Sequence, residues 1–195
     1  MLDPDVKSIT DQYINKKINR RSFIVAAGVI TGSISLGGLL SYYYRVSKKS
    51  RPYTREEDIL INEIHEHIFP HSDDSPGASD INSVDYLHFV LTDPEIDEDN
   101  KNLLVNGVKW LEEECHASYS RSFIDLTTFE KGAIFSSTEN SNWGYRFLSL
   151  NITYIIEALL SDPIYGGNQN DIGWKWLNHT PGLPRPTEKT KYGKI

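Results

Sequence analysis

The sequence predicts an all-α protein, in which a small helical domain is followed by an irregular C-terminal tail rich in Gly, Pro and Trp. Apolar residues recur at three- and four-residue steps in several segments between residues 54 and 161, and Thr–Glu pairs three residues apart mark two helix starts. No segment alternates apolar and polar residues in the way a half-buried strand does. We therefore expect a signal or anchor helix in residues 1–50 and a helical domain in residues 51–195, with the tail starting at about residue 162.

The first helix is predicted to begin after Thr54, because Thr54 and Glu57 have the spacing of a capping box, in which each side chain accepts a hydrogen bond from the other residue's backbone N–H. Pro70 is expected to end it. Its apolar stripe consists of Leu60, Ile61, Ile64 and Ile68. Thr127 and Glu130 repeat the capping pattern and predict the start of a fourth helix.

The second, third and fifth helices are predicted from apolar periodicity alone. The second contains Val84, Leu87, His88 and Leu91 and ends at Asp93-Pro94, and the third contains Leu104, Val108, Leu111 and Cys115. The fifth runs from about Asn142 to Ser161, with Trp143, Phe147, Leu150, Tyr154, Ile155 and Leu159 as expected core residues. Glu157 is the acidic residue of this apolar helix. Its burial would indicate a functional role, but we expect it to pair with an arginine.

Helical periodicity disappears after Asp162-Pro163, and residues 164–195 contain eight Gly or Pro residues together with Trp174 and Trp176. A segment that is apolar in places but cannot form its own core is expected to pack on another surface. That surface belongs either to the same domain or to a partner.

The chain divides into two parts of opposite charge. Residues 1–51 contain nine Lys or Arg and three Asp or Glu, a net charge of +6, whereas the remaining 144 residues contain 11 basic and 24 acidic residues, a net charge of −13. Because an acidic body repels the phosphates of nucleic acids, we expect no nucleic-acid partner.

A basic segment that contains Arg20, Arg21 and Phe23 opens an uncharged run from Phe23 to Tyr44 that is rich in Gly, Ser and Ala. This arrangement is typical of a twin-arginine signal, which exports folded, cofactor-loaded proteins across the bacterial inner membrane. The run also has the length of a helix that spans about 30 Å of hydrocarbon, and no Ala-x-Ala cleavage site follows it, so an uncleaved anchor is a second possibility. An ordinary anchor with positive-inside charge is the alternative, and every interpretation places the acidic body on the periplasmic side.

The helical body lacks the motifs that hold common redox cofactors, namely Gly-x-Gly-x-x-Gly for FAD or NAD and Cys-x-x-Cys-His for haem. We therefore expect no catalytic, cofactor-binding or metal-binding residue in this chain. Cys115, the single cysteine, is expected to be a buried apolar residue rather than a reactive thiol. The run Glu112–Glu114 is expected to be a solvated helix face.

An independent periplasmic metal protein is an alternative, because His65, Glu66, His67 and His71 lie close in sequence and imidazole and carboxylate groups bind zinc and iron. His65 and His67 are roughly 200° apart around a helix, however, unlike the i, i+4 histidine pair of zinc proteases. We favour a partly exposed helix face for these residues.

The string Asp162-Pro163-Ile164-Tyr165-Gly166-Gly167-Asn168, followed by Gly173-Trp174, resembles the gluconate 2-dehydrogenase subunit 3 family. Shorter segments extend the resemblance over roughly residues 55 to 185. These segments are Ile68-Phe69-Pro70, Ser75-Pro76-Gly77-Ala78, Phe123-Ile124-Asp125-Leu126 and Pro181-Gly182.

The resemblance implies that the chain is the non-catalytic small subunit of a heteromeric sugar or sugar-acid dehydrogenase. The large subunit would be an FAD-containing oxidoreductase of the glucose–methanol–choline type, and a multihaem cytochrome c subunit often accompanies it. The small subunit would carry the twin-arginine signal for the folded flavoprotein. A membrane-tethered scaffold for an unrelated partner is a further alternative.

We interpret the family motif as a partner-binding surface. Gly166 and Gly167 permit a tight turn, whereas Tyr165 and Trp174 supply rigid contact area of the kind that anchors interfaces. The candidate interface residues are Asp162, Pro163, Tyr165, Gly166, Gly167, Asn168, Gly173 and Trp174. A compatible alternative is that the motif folds the tail back onto the helices of its own chain.

Overall fold

In the computed structural model, which describes residues 52–193, six α-helices and three short 3-10 turns account for the helical structure of that range. The α-helices are α1 (Arg55–Ile68), α2 (Ser83–Thr92), α3 (Glu98–Tyr119), α4 (Thr128–Glu139), α5 (Gly144–Leu160) and α6 (Ile172–Trp176). Within the described range there is no β-strand, and the only β-bridge is an isolated one between Ser72 and Ser75. The prediction of an all-α fold is therefore confirmed.

Both predicted capping boxes are present at the helix starts. The Thr54 hydroxyl accepts a hydrogen bond from the Glu57 N–H at 3.2 Å, and the Glu57 carboxylate accepts one from the Thr54 N–H at 2.8 Å. Thr127 and Glu130 form the same pair of bonds at 3.3 and 2.8 Å. Such a cap stabilises a helix by about 1 kcal/mol, which explains why α1 and α4 begin where the sequence predicts.

Helix α5 lies at the centre of the domain and packs against the other five helices. Of its predicted core residues, Phe147, Tyr154, Ile155 and Leu159 are buried, whereas Trp143 and Leu150 are only half-buried. The surrounding helices contribute fully buried side chains, including Ile61, Ile64, Leu87, Leu104, Leu111 and Ile134. Because each such side chain stabilises the fold by about 1.5–3 kcal/mol, this core determines how α5 is placed.

His65 joins three helices, and its expected place on a partly exposed face is wrong. The ring is fully buried, with Nδ1 2.8 Å from the Ser83 hydroxyl of α2 and Nε2 2.9 Å from the Asn151 side-chain oxygen of α5. Because that oxygen can only accept, Nε2 carries the proton and Nδ1 accepts from Ser83. Burial lowers the pKa of His65 to about 4, so the ring is neutral at pH 7.

The C-terminal tail contains more regular structure than its sequence predicts. Two 3-10 turns, Pro163–Tyr165 and Gln169–Asp171, lead into the short helix α6. The tail is held by contacts to α5, which the local sequence does not reveal.

Candidate functional site

The family motif completes the C-terminal end of α5. The last carbonyl groups of a helix have no partner within it and need one outside. Trp174 Nε1 donates to the Leu160 carbonyl at 2.8 Å, and Asn168 Nδ2 donates to the Ser161 carbonyl at 2.9 Å. The Asn168 side-chain oxygen accepts from the Gly173 N–H at 2.8 Å, so one buried amide connects the end of α5 with α6.

The motif glycines allow this segment to approach α5 closely. Gly166 has a φ of 102°, a conformation that favours glycine, and its carbonyl accepts a hydrogen bond from the Asn82 side chain at 3.0 Å. A Cβ atom on Gly173 would lie 2.2 Å from the Leu159 carbonyl oxygen, and one on Gly167 would lie 2.7 Å from that of Ala158. Side chains at these two positions would therefore push the tail away from the helix end.

Asp162 and Arg185 connect the end of the C-terminal tail to the motif. Asp162 accepts hydrogen bonds from the Ile164 N–H at 3.1 Å and from Arg185 Nε at 2.8 Å, and Arg185 also donates to Asp171 at 3.1 Å. The guanidinium carbon lies 4.8 Å from the Trp174 ring centroid. Burial by itself raises the pKa of the Asp162 carboxyl, but the hydrogen bonds from Arg185 and Ile164 outweigh it and hold that pKa below its usual value.

Pro163 and Tyr165 form the first turn of the motif. Pro163 occupies the first position of its 3-10 turn, where its missing N–H is not needed. The Tyr165 ring lies 5.1 Å from that of Phe89, and its hydroxyl accepts a hydrogen bond from the Tyr192 N–H at 3.1 Å.

The motif contacts divide the eight candidate interface residues into two groups. Gly167, Asn168, Gly173 and Trp174 are buried against their own chain, whereas Asp162, Pro163, Tyr165 and Gly166 are half-buried. The intrachain interpretation of the motif thus accounts for the buried group. A partner interface at the half-buried group stays a prediction.

A groove of about 410 Å³ lies between α2 and the C-terminal end of α5 and includes part of the motif. Its aromatic lining comes from Tyr86, Phe89, Tyr165 and Tyr192, and its carboxylates from Asp93, Glu157 and Asp162. The Tyr86 hydroxyl donates to Glu157 at 3.1 Å, and the Tyr192 hydroxyl donates to Asp93 at 3.4 Å. Burial and the neighbouring Glu157 carboxylate raise the pKa of Tyr86, which therefore keeps its proton as a donor. Glu157 is exposed, faces the groove and bonds to Tyr86, so among the described residues the expected arginine partner is wrong.

Helix α5 exposes a row of uncharged side chains beside its exposed charged residues Arg146 and Glu157. We call Tyr145, Ile152, Thr153, Ile156 and Leu160, together with the half-buried Ser149, the α5 strip. Its four large apolar residues are 65%, 45%, 50% and 47% exposed for Tyr145, Ile152, Ile156 and Leu160. At 1.5 Å per residue, the strip is about 22 Å long. The strip was not predicted from the sequence, although an apolar helix with large side chains on every face is a signal of such a surface.

The three histidines considered for a metal site lie in different surroundings. Both ring nitrogens of His65 are bonded in the core, and the His67 ring packs edge-on against Phe123 and Phe135. His71 Nδ1 lies 2.6 Å from Asp80, and this hydrogen bond raises the pKa of the imidazole. Within residues 52–193, no three His, Cys, Asp or Glu side chains are grouped so as to hold a metal ion.

Cys115 is fully buried, as the sequence predicts, and burial raises the pKa of its thiol to about 12. The expectation that Glu112–Glu114 is only a solvated face needs correction. Glu112 accepts from the Phe123 N–H at 3.0 Å, and Glu114 accepts hydrogen bonds from two α4 hydroxyl groups, those of Ser137 and Thr138. The run therefore helps to connect α3 with its neighbours.

The predicted export signal, with Arg20, Arg21 and Phe23, lies outside the described residues. No helix within residues 52–193 combines the length and the apolar character needed to cross a membrane.

The fold and the site define a small helical protein whose distinctive features are a self-capped central helix, an exposed apolar strip and an aromatic groove. Residues 55–182 match the family model of gluconate 2-dehydrogenase subunit 3. The chain belongs to this family and is a subunit of a gluconate 2-dehydrogenase-like complex, which implies a partner dehydrogenase. No curated protein and no solved structure matches the chain.

Proposed function

We propose that this chain is the non-catalytic small subunit of an FAD-dependent sugar or sugar-acid dehydrogenase. It supports the folding and stability of the flavoprotein subunit and provides the twin-arginine signal that exports it. The family match over residues 55–182 carries the proposal, because it places the chain in a dehydrogenase complex. The twin-arginine pattern around Arg20 and Arg21 supports the export role, since that route accepts proteins that are already loaded with cofactor.

We assign FAD to a large subunit of the glucose–methanol–choline type and, where a cytochrome subunit is present, haem c to that subunit. The complex works on the periplasmic side of the inner membrane, with the N-terminal segment of this chain as a possible link to the membrane. The substrate pocket lies in the large subunit, so the identity of the sugar depends on that chain.

Co-purification tests the complex. A tagged full-length chain is isolated from native membranes, and the flavin absorbance and the masses of the captured proteins are measured. The proposal expects a large flavoprotein in a fixed ratio to the chain, with acceptor-dependent activity on sugars or sugar acids. A colourless chain without a flavoprotein contradicts it.

Replacing both signal arginines, Arg20→Lys and Arg21→Lys, tests the shared export. We expect the flavoprotein to accumulate in the cytoplasm together with the variant chain, measured by its activity in cell fractions. Replacing Lys48 and Lys49 by Arg is the matched control, because it changes two basic residues after the apolar run and leaves the arginine pair intact. Normal export of the flavoprotein with the Arg20 and Arg21 variant refutes the shared-signal mechanism.

A further inference from the structure

We infer that the α5 strip and the adjoining groove form one docking surface for the dehydrogenase subunit, with the strip facing apolar side chains and the groove receiving an Arg or Lys side chain. This inference rests on the proposed function, and it names the surface of this chain that makes the contact.

The composition of the strip is unusual for its surroundings. Residues 52–195 have a net charge of −13, yet the six positions of the strip contain no charged side chain over about 22 Å. Charged residues are depleted at the centre of protein interfaces, where apolar and aromatic side chains predominate. An exposed row of one tyrosine, two isoleucines and one leucine on an acidic domain has the composition of such a centre.

The strip is also preorganised. Its helix has Phe147, Ile155 and Ala158 buried on the opposite side, and its C-terminal carbonyls are capped by Asn168 and Trp174. A partner that binds a helix already fixed in this way does not have to order it first. The motif therefore contributes to the docking surface by holding the helix that presents it.

The groove supplies the polar end of the same surface. Glu157 lies next to Ile156 in sequence and lines the groove together with Asp93. Among the described residues, neither carboxylate forms an ion pair; both accept hydrogen bonds from tyrosine hydroxyls instead. Aromatic walls around two carboxylates suit a guanidinium or ammonium group, which is attracted by the ring faces and by the negative charge.

Two other occupants fit less well. A second copy of the chain would bring another body with a net charge of −13 against the acidic groove, which electrostatic repulsion disfavours. The chain's own uncharged run, residues 23–44, is assigned to export or membrane anchoring in the proposed function rather than to the strip. The dehydrogenase subunit is the partner that the family match implies.

Aspartate substitutions on the strip test its contribution. Ile152→Asp and Ile156→Asp are made in the full-length chain, which is co-expressed with the flavoprotein identified by co-purification. We expect the flavin recovered per chain to fall at least tenfold. Phe129→Asp is the matched control, because Phe129 is 85% exposed on α4 and lies off the strip. Circular dichroism establishes that all three variants keep their helices.

Charge reversal tests the groove. Glu157→Lys is expected to weaken flavoprotein binding about tenfold or more, whereas Glu157→Gln has a smaller effect because it removes attraction without adding repulsion. Glu113→Lys, at an exposed position on α3, is the control for the change of overall charge. Equal binding by Glu157→Lys and the wild-type chain overturns the assignment of the groove.

A photo-cross-linking amino acid in place of Ile156 identifies the occupant directly. Cross-links to the flavoprotein support the inference, and cross-links to a second copy or to residues 23–44 overturn it. Full flavoprotein recovery with both strip variants also overturns it while leaving the proposed function intact. Failure of the wild-type chain to capture any flavoprotein is a different result, which refutes the proposed function itself.

Discussion

The side chain of Asn168 is expected to be one of the most important polar groups for the stability of the helical domain. It is fully buried, has a φ of 47° and makes one hydrogen bond to each side of the α5–α6 junction. Asn168→Ala removes both hydrogen bonds and keeps a Cβ atom in the left-handed conformation. Asn168→Gly removes the same bonds but relieves the backbone of that Cβ atom.

Asn168→Ala should lower the free energy of unfolding more than Asn168→Gly, which reverses the usual order of the two residues. Each lost hydrogen bond removes about 1 kcal/mol, and the buried Gly173 N–H left without a partner costs roughly 1–3 kcal/mol more. A Cβ atom in the left-handed region costs about 1 kcal/mol, which Asn168 already bears, which alanine keeps and which glycine relieves. We therefore expect a loss of about 4 kcal/mol for alanine and about 3 kcal/mol for glycine, although glycine is the more destabilising residue in ordinary helical positions.

Urea unfolding of the full-length chain, followed by far-ultraviolet circular dichroism, measures these differences in the free energy of unfolding. Asn170→Gly is the matched control, because Asn170 also has a positive φ, 57°, but its side chain is exposed. We expect this control to change the unfolding free energy by less than about 1 kcal/mol. A loss below about 1 kcal/mol for Asn168→Ala, or a larger loss for glycine than for alanine, would refute the account of Asn168 as a buried connector.

Three further predictions concern burial and close packing. The folded-state pKa of His65, about 4, lies below its ordinary value of 6.5, so its contribution to stability is fully present above pH 6.5 and falls by about 3 kcal/mol towards pH 4. The free energy of unfolding, measured across this range, should depend less on pH for His65→Gln, and the same pH dependence for both proteins contradicts the assignment. Gly173→Ala should destabilise the domain by about 2 kcal/mol, because a Cβ atom would lie 2.2 Å from the Leu159 carbonyl oxygen. Gly182→Ala, where a Cβ atom meets no atom within 4 Å, should have almost no effect, and equal melting temperatures for the two variants argue against this packing. Cys115 should react with a maleimide only after unfolding, and rapid labelling of the native chain would show that the thiol is accessible.

The helices and their starting points could be predicted because the signals are local. A capping box acts over three residues, so Thr54 with Glu57 and Thr127 with Glu130 identify their helix starts without knowledge of the rest of the fold. Apolar periodicity likewise predicts the buried position of Cys115. These features depend on neighbouring residues, and the structure confirms them.

The features that sequence reasoning missed depend on distant residues. Ser83 and Asn151, which form hydrogen bonds with the buried ring of His65, lie 18 and 86 positions away in the sequence. Helix α6 forms where Trp174 bonds to the Leu160 carbonyl, and five residues without that contact are too short to be helical in water. Local spacing contains no information on either contact.

Helix α5 shows that an apolar sequence pattern does not indicate burial alone. Its buried residues form the core side of the helix, whereas Ile152, Ile156 and Leu160 each leave about half of the side chain exposed and stabilise the domain less by burial. The docking surface that we infer for the dehydrogenase subunit accounts for their apolar character, since scattered exposed residues would not align on one face. The family motif and the α5 strip then have separate tasks. The buried motif residues Asn168 and Trp174 cap the end of the helix, and the strip gives that fixed helix an uncharged face for the dehydrogenase subunit.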